Sequence, residues 1–362
     1  QQDAFAAAGN TSAVAFGTFD PTLFTVKEAF GEVRASIFKD RPLLEELSVA
    51  AAARVSDYNS GAGTVWAWNV GGDYSPTPGL RFRANYGKSV RAPNLSETSS
   101  PLVPNFAPGF ADPCSASRIG TGTQFRGANC VADLGPLLAN VSNVAAAIGV
   151  LSGSNPNLKA ETSKSLTVGA VIQPSFTRGL TLTVDYYNIQ VNGVIVALNA
   201  QTIANSCYDQ PTLNNPFCGL FQRVRSGTGP QGEVAGNIQS NTLIQAPTNF
   251  AKRIRRGLDT QLTYNFDISD FKISTNLLWV HTFKNSNFEN PTLPDFENRL
   301  RDELGDPSDE VRLQVDVTKS AFTFGYELRY IGSQFLNNYE DFMPLQDRTP
   351  QDADYAPIWK YP

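Results

Sequence analysis

The sequence is short of the residues that carry covalent chemistry. Its 362 residues hold one histidine and four cysteines. A single imidazole excludes an HExxH zinc motif, and neither a GxSxG elbow nor a Cys/His pairing appears. His281 stands on a period-2 segment beside Trp279 and Phe283 and reads as a strand residue. Asn85-Tyr86-Gly87-Lys88-Ser89 ends like a phosphate-binding loop. Phe82, however, occupies the place of the first glycine, and the segment continues a strand. No enzymatic activity and no cofactor are expected. Cationic excess is also missing: 29 Lys and Arg against 34 Asp and Glu leave a net charge of −5, so no nucleic-acid partner is expected.

No uncharged apolar run is long and clean enough for a membrane-spanning helix. The nearest candidate, Leu134 to Leu151, is broken by Pro136, Asn140, Ser142 and Asn143 and reads as a helical patch inside a loop. No signal peptide opens the chain, which starts Gln1-Gln2-Asp3 without Met. That is the expectation for an internal piece of a longer protein.

What is present is alternation. Leu80, Phe82, Ala84 and Tyr86 fall on one face of a strand, while Arg81, Arg83 and Asn85 fall on the other. Similar alternation predicts strands at Val26–Phe38, Leu43–Ser56, Val65–Tyr74, Leu166–Gln173 and Leu180–Tyr187. It continues at Leu258–Phe266, Phe271–Phe283, Val311–Val317 and Phe322–Ile331, about ten strands in all. Tyr355 to Pro362 looks like the start of another. A phase slip at Tyr186-Tyr187 suggests a bulge.

The turns near residues 40, 77, 176, 268 and 320 are short. The connections near 60, 92–161, 192–250, 284–308 and 333–356 are longer. Strict alternation of short and long connections is what a transmembrane up-and-down antiparallel β-barrel requires. Trp66, Tyr74, Tyr86, Tyr186, Trp279 and Tyr330 recur near strand ends, as interfacial girdles do. Ten strands would leave open edges in hydrocarbon, so the segment is expected to be part of a larger barrel.

The cysteines form two local pairs inside the long loops, Cys114 with Cys130 and Cys207 with Cys218. Neither is CxxC and no histidine flanks them, so local disulfides are favoured over free thiols or zinc. An acidic cluster, Asp295, Glu297, Asp302, Glu303, Asp306, Asp309 and Glu310, lacks EF-hand spacing and reads as a solvated outer loop. Lys252, Arg253, Arg255 and Arg256 form a basic knot where the second long loop rejoins a strand. Pairing of Arg253 and Arg255 with lumen carboxylates is preferred there over contact with lipid phosphates or an anionic ligand. The sequons at Asn10, Asn94 and Asn140 carry little meaning in a bacterium.

Three short motifs sit at loop-to-strand junctions. Arg91-Ala92-Pro93-Asn94-Leu95-Ser96-Glu97 resembles the RAPNLxE segment of TonB-dependent outer-membrane receptors. Asn155-Pro156-Asn157-Leu158-Lys159-Ala160-Glu161-Thr162-Ser163 resembles the same family's NPxLKxExS segment, and Arg256-Gly257-Leu258-Asp259 its strand start. The resemblance implies that residues 1–362 are a partial barrel domain, about ten strands of a barrel of roughly 22. It implies extracellular loops at about 92–161 and 192–250, formed in an oxidising compartment.

In such receptors a scarce solute, a siderophore, haem, vitamin or oligosaccharide, is imported with energy from the TonB-ExbB-ExbD complex. The implied location is the outer membrane of a Gram-negative bacterium, among lipid and lipopolysaccharide. The family's plug and TonB box have no counterpart in the sequence. Ligand-contacting residues are not marked by any motif, and the two cysteine-bearing loops are the candidates for the ligand mouth. The alternatives are a passive porin or structural barrel, and a secreted soluble β-rich carbohydrate-binding protein.

Overall fold

The computed structural model describes residues 23–142 and 147–334. The stretch Tyr355 to Pro362 and the sequon at Asn10 lie outside the described residues. Fourteen strands appear: Val26–Arg41 (β1), Leu44–Tyr58 (β2), Thr64–Thr77 (β3), Leu80–Arg91 (β4), Val103–Ala107 (β5), Ile148–Ser152 (β6), Glu161–Ile172 (β7), Leu180–Ala197 (β8), Leu243–Gln245 (β9), Pro247–Ile268 (β10), Phe271–Phe288 (β11), Asn298–Arg299 (β12), Asp309–Lys319 (β13) and Phe322–Ile331 (β14).

Ten of them form one antiparallel sheet in chain order, β1-β2-β3-β4-β7-β8-β10-β11-β13-β14, with β12 appended to β11. This is the up-and-down order that the alternating connections require. The wall is not closed: β1 and β14 are its edges among the described residues.

Register shows why the alternation matters. Directly paired residues share a face, and one apolar row runs unbroken across seven strands. It reads Leu80, Ile172, Leu182, Leu262, Leu277, Leu313 and Leu328. Aromatic rings stand on the same face, among them Phe82, Tyr86, Phe324, Tyr326 and Tyr330, and all five are exposed. No layer of the described chain covers them.

The opposite face is polar. Its central row holds Asp73, Arg83, Gly169, Asp185 and Asp259. Arg83 reaches over the intervening strand to make a bidentate pair with Asp185. Gly169 lies between the two in the register, and a Cβ there would collide with the Asp185 carboxylate. The glycine is what lets the charge pair cross.

Two sequence readings are corrected. Tyr186 and Tyr187 keep continuous register with β7 and β10, so no bulge lies there. Tyr187 instead sits on the polar face beside Gly257, where an added Cβ would meet its phenol oxygen and, at 2.7 Å, the carbonyl of His281. Among the described residues the register shifts fall at Ile37 in β1, between Tyr74 and Thr77 in β3, at Arg256/Gly257 between β10 and β11, and near Ala251. The helical patch read over Leu134 to Leu151 is helical only as a 3-10 turn at Gly135–Asn140 and becomes strand at Ile148–Ser152, with 143–146 outside the described residues; the α-helix lies before it, at Arg126–Leu134. Pro136 sits at the start of that turn, where its missing N–H costs no helical bond.

Candidate functional site

The two long connections do not behave as loops. They fold together into one cap over the wall's long-loop end, with a three-stranded sheet β5-β6-β9 of its own. β6 comes from the first connection and β9 from the second, and they pair in parallel, Val150 with Leu243. The helix Ala200–Asp209 packs beside β9, and the helix Arg126–Leu134 packs against Ala200–Asp209. The helix Ala200–Asp209 is capped by Asn199, whose carboxamide accepts the N–H of Thr202 at 2.7 Å.

The main buried hydrophobic cluster belongs to this cap: Phe110, Leu134, Val150, Ile203, Tyr208, Phe217, Phe221 and Leu243 are among its members. Both disulfides lie against it. Cys114 bonds Cys130 within the first connection, and Cys207 bonds Cys218 within the second. Each closes a separation of 16 or 11 residues, so on the chain-entropy picture each removes about 3 kcal/mol of unfolded-state freedom.

Buried charge then fastens one connection to the other, reciprocally. Arg126 of the first pairs with Asp209 of the second, with both side chains under 8% exposed. Arg223 of the second pairs bidentately with Asp112 of the first at 2.7 and 2.8 Å. Arg223 also donates to the Tyr208 hydroxyl at 2.6 Å, and that hydroxyl donates to Asp133 at 2.6 Å. Burial pushes the Tyr208 phenol well above its usual range, against the pull of Arg223. The Arg223 guanidinium is also raised, its carboxylate and phenol partners overruling the cost of burial. Asp133, Tyr208 and Arg223 line a cavity of about 440 Å³ with Cys207, Leu213, Phe221 and Arg225. Arg225 is matched by Asp133 at 2.7 Å, so two guanidiniums meet two carboxylates.

The first two motifs meet where wall and cap join. Arg91, the last residue of β4, pairs with Glu161, the first of β7, at 2.7 and 2.8 Å. It also holds Glu97 at 3.1 Å. Glu97 and Asn94 form a capping box on the short helix Leu95–Ser99: the Asn94 carboxamide takes the Glu97 N–H at 2.8 Å, and Glu97 takes the Asn94 N–H at 2.8 Å. Pro93 and Leu158 are buried beneath. Asn155 donates to the Pro247 carbonyl at 3.0 Å and Asn249 accepts the N–H of Lys159 at 2.8 Å, so the second motif is tied to the start of β10. Ser163 stands opposite Ser89.

The third motif is elsewhere, within β10. Arg256 and Gly257 flank a bulge, and Asp259 faces Asp185.

The basic knot divides between faces. Arg253 pairs with Glu289 at 2.8 Å on the polar side, as preferred. Arg255 departs from that expectation: it donates to the carbonyl of Ser286 and the carboxamide of Asn287, having backbone and amide oxygens nearer than any carboxylate. The acidic cluster is dispersed among partners. Glu297 accepts from Ser286 and Lys284, Asp306 from Asn285, and Asp309 from Trp279 and His281.

A chain-ordered antiparallel sheet with a lipid-compatible face, a polar face and its long connections at one end defines a segment of an outer-membrane β-barrel. The particular family follows from comparison. The chain belongs to the TonB-dependent receptors: the family model "TonB dependent receptor-like, beta-barrel" matches residues 2–359. Its setting is therefore the outer membrane of a Gram-negative bacterium. Among solved structures, the siderophore receptor PirA of Acinetobacter baumannii is similar, with 12% identity, a TM-score of 0.51, 86% of this chain covered and 34% of that one. The ferric enterobactin receptor PfeA of Pseudomonas aeruginosa gives 15%, 0.51, 86% and 33%. The chain thus spans about a third of the length of these receptors. No curated protein matches it.

The cap's own fold escaped the sequence reading. Its signal was faint but present: Asn199 before Ala200, three residues ahead of Thr202, is an N-cap pattern, and the apolar positions Ile203 and Tyr208 follow it.

Proposed function

We propose that the chain forms part of the wall and the extracellular mouth of an energy-coupled importer of a scarce solute. The long connections face outward, and transport draws on the TonB-ExbB-ExbD complex. The observation that carries this reading is the family match across residues 2–359, on a wall whose strand order agrees with it. The folded cap gives the mouth a built surface: two disulfides and two reciprocal buried ion pairs preorganise it, which lowers the ordering cost of binding. The identities of 12% and 15% to siderophore receptors carry the fold and do not choose the solute. The test is uptake by whole cells that express the native protein containing this chain. Uptake that disappears when TonB is deleted supports the importer. Uptake that persists and rises linearly with outside concentration supports a passive pore.

A further inference from the structure

We infer that the cleft between the cap helix Ala200–Asp209 and the connection after β11 is a binding subsite for a neutral saccharide; this rests on the importer reading and names its solute class. The cleft measures about 540 Å³. Thr202, Asn205 and Ser206 line one side, and Asn290, Thr292 and Phe296 the other. The walls are fixed to one another, since Gln210 donates to the Pro291 carbonyl at 2.5 Å. Two carboxylates also border it, and both are spoken for: Asp209 is held by Arg126, and Glu289 by Arg253 at 2.8 and 3.1 Å. Arg253 lies on the wall's polar face, so the cleft sits where the mouth meets the lumen.

Charge decides the ligand class. The cleft offers no unmatched cation to an anionic metal chelate, and no unmatched carboxylate to a cationic solute. What it offers is amide and hydroxyl groups. The Asn205 carbonyl oxygen accepts from Gln201 at 3.0 Å, which leaves its NH₂ to donate. The Asn290 oxygen accepts from Thr292 and Leu293, and its NH₂ is likewise unused. Ser206 is 1% exposed, and its hydroxyl finds no partner within the described chain. Buried hydroxyls are nearly always paired, so one left alone at the edge of a cleft points to a partner from outside. A sugar ring brings hydroxyls that both donate and accept, together with an apolar face of C–H bonds. Amide donors beside an aromatic ring, here Phe296, complement both features.

The test uses the native receptor in mild detergent. It is exposed to an array of neutral and acidic glycans and, separately, to a ferric catecholate, with affinities measured by calorimetry. At least one neutral oligosaccharide is expected to bind. Phe296→Ala and Asn205→Asp should each weaken it tenfold or more while the thermal transition of the protein stays in place. Failure to bind any neutral glycan, or binding that both variants leave unchanged, overturns the saccharide cleft. Ferric catecholate bound equally by wild type and variants would overturn it as well, and would leave the importer standing. Loss of TonB dependence with variant-sensitive glycan binding would do the reverse.

Discussion

The wall and the cap are built from the same chain on opposite rules of burial. In the wall, large apolar side chains are exposed: Phe324 is 69% accessible, and Leu328 is 41% accessible in the leucine row. In the cap, Ile203, Val150 and Leu243 are inaccessible to solvent. The wall obtains its hydrophobic environment from lipid, whereas the cap must make its own from 92–160 and 198–246. That difference explains where the crosslinks fall. A small core needs staples, so both disulfides and both buried Arg–Asp pairs lie in the cap. The wall relies on backbone ladders, which lipid makes obligatory.

The largest test of this contrast is Arg223→Met. It leaves Asp112, 3% exposed, as an uncompensated buried charge, which costs about 3–5 kcal/mol. The cap should open to protease within 103–142 and 200–245, and its tertiary signal should fade. The β-sheet circular dichroism of the wall should persist in detergent. A wall that unfolds together with the cap would show the two to be one cooperative unit.

The converse test acts on the wall. Leu262→Arg places a charge in the middle of the leucine row and should cost about 2–4 kcal/mol if that face meets lipid at the bilayer centre. Gln261→Arg, one residue away on the polar face, should cost far less. Folding into vesicles, titrated with urea, measures both. Equal effects would mean that the apolar row does not face hydrocarbon.

The same contrast explains what could be read from sequence. Wall strands announce themselves because lipid and lumen impose period 2 on every residue, as in Leu80, Phe82, Ala84 and Tyr86. The first two motifs mark where wall meets cap, since Arg91, Glu97 and Glu161 form one charged junction. The cap was illegible for a physical reason. Its contacts join residues about a hundred positions apart, such as Asp112 with Arg223, and no local period records such a pairing. Cysteine spacing alone favoured closure of each connection on itself. It carried no sign that the two connections shared a core.

A smaller effect probes the seam. Asn94→Ala removes the acceptor of the Glu97 N–H and half of the capping box, at a cost of about 1 kcal/mol. Hydrogen exchange should accelerate at 95–99 and be unchanged in β4 below Ser89. Acceleration that spread along β4 would show that the capping box anchors the wall and does not merely finish a helix.

The mildest test is one of acidity, confined to the cap. Glu233 accepts the N–H of Gln231 at 3.0 Å and that of Ser240 at 2.8 Å, and so closes the turn between them. Desolvation raises its carboxyl, but the hydrogen bonds together overrule it and hold the group below the usual carboxylate range. A folded value below the unfolded one means that the stabilisation is complete above the unfolded value. It is lost as pH falls through the folded value. Exchange at 231–240, corrected for intrinsic rates, should therefore accelerate between neutral pH and about pH 4. Glu233→Gln should exchange faster at neutral pH and lose that acceleration. Leu277 and Leu313 in the leucine row should respond to neither change. A matching response there would mean that cap and wall share their protons as well as their chain, and the division drawn between them would fail.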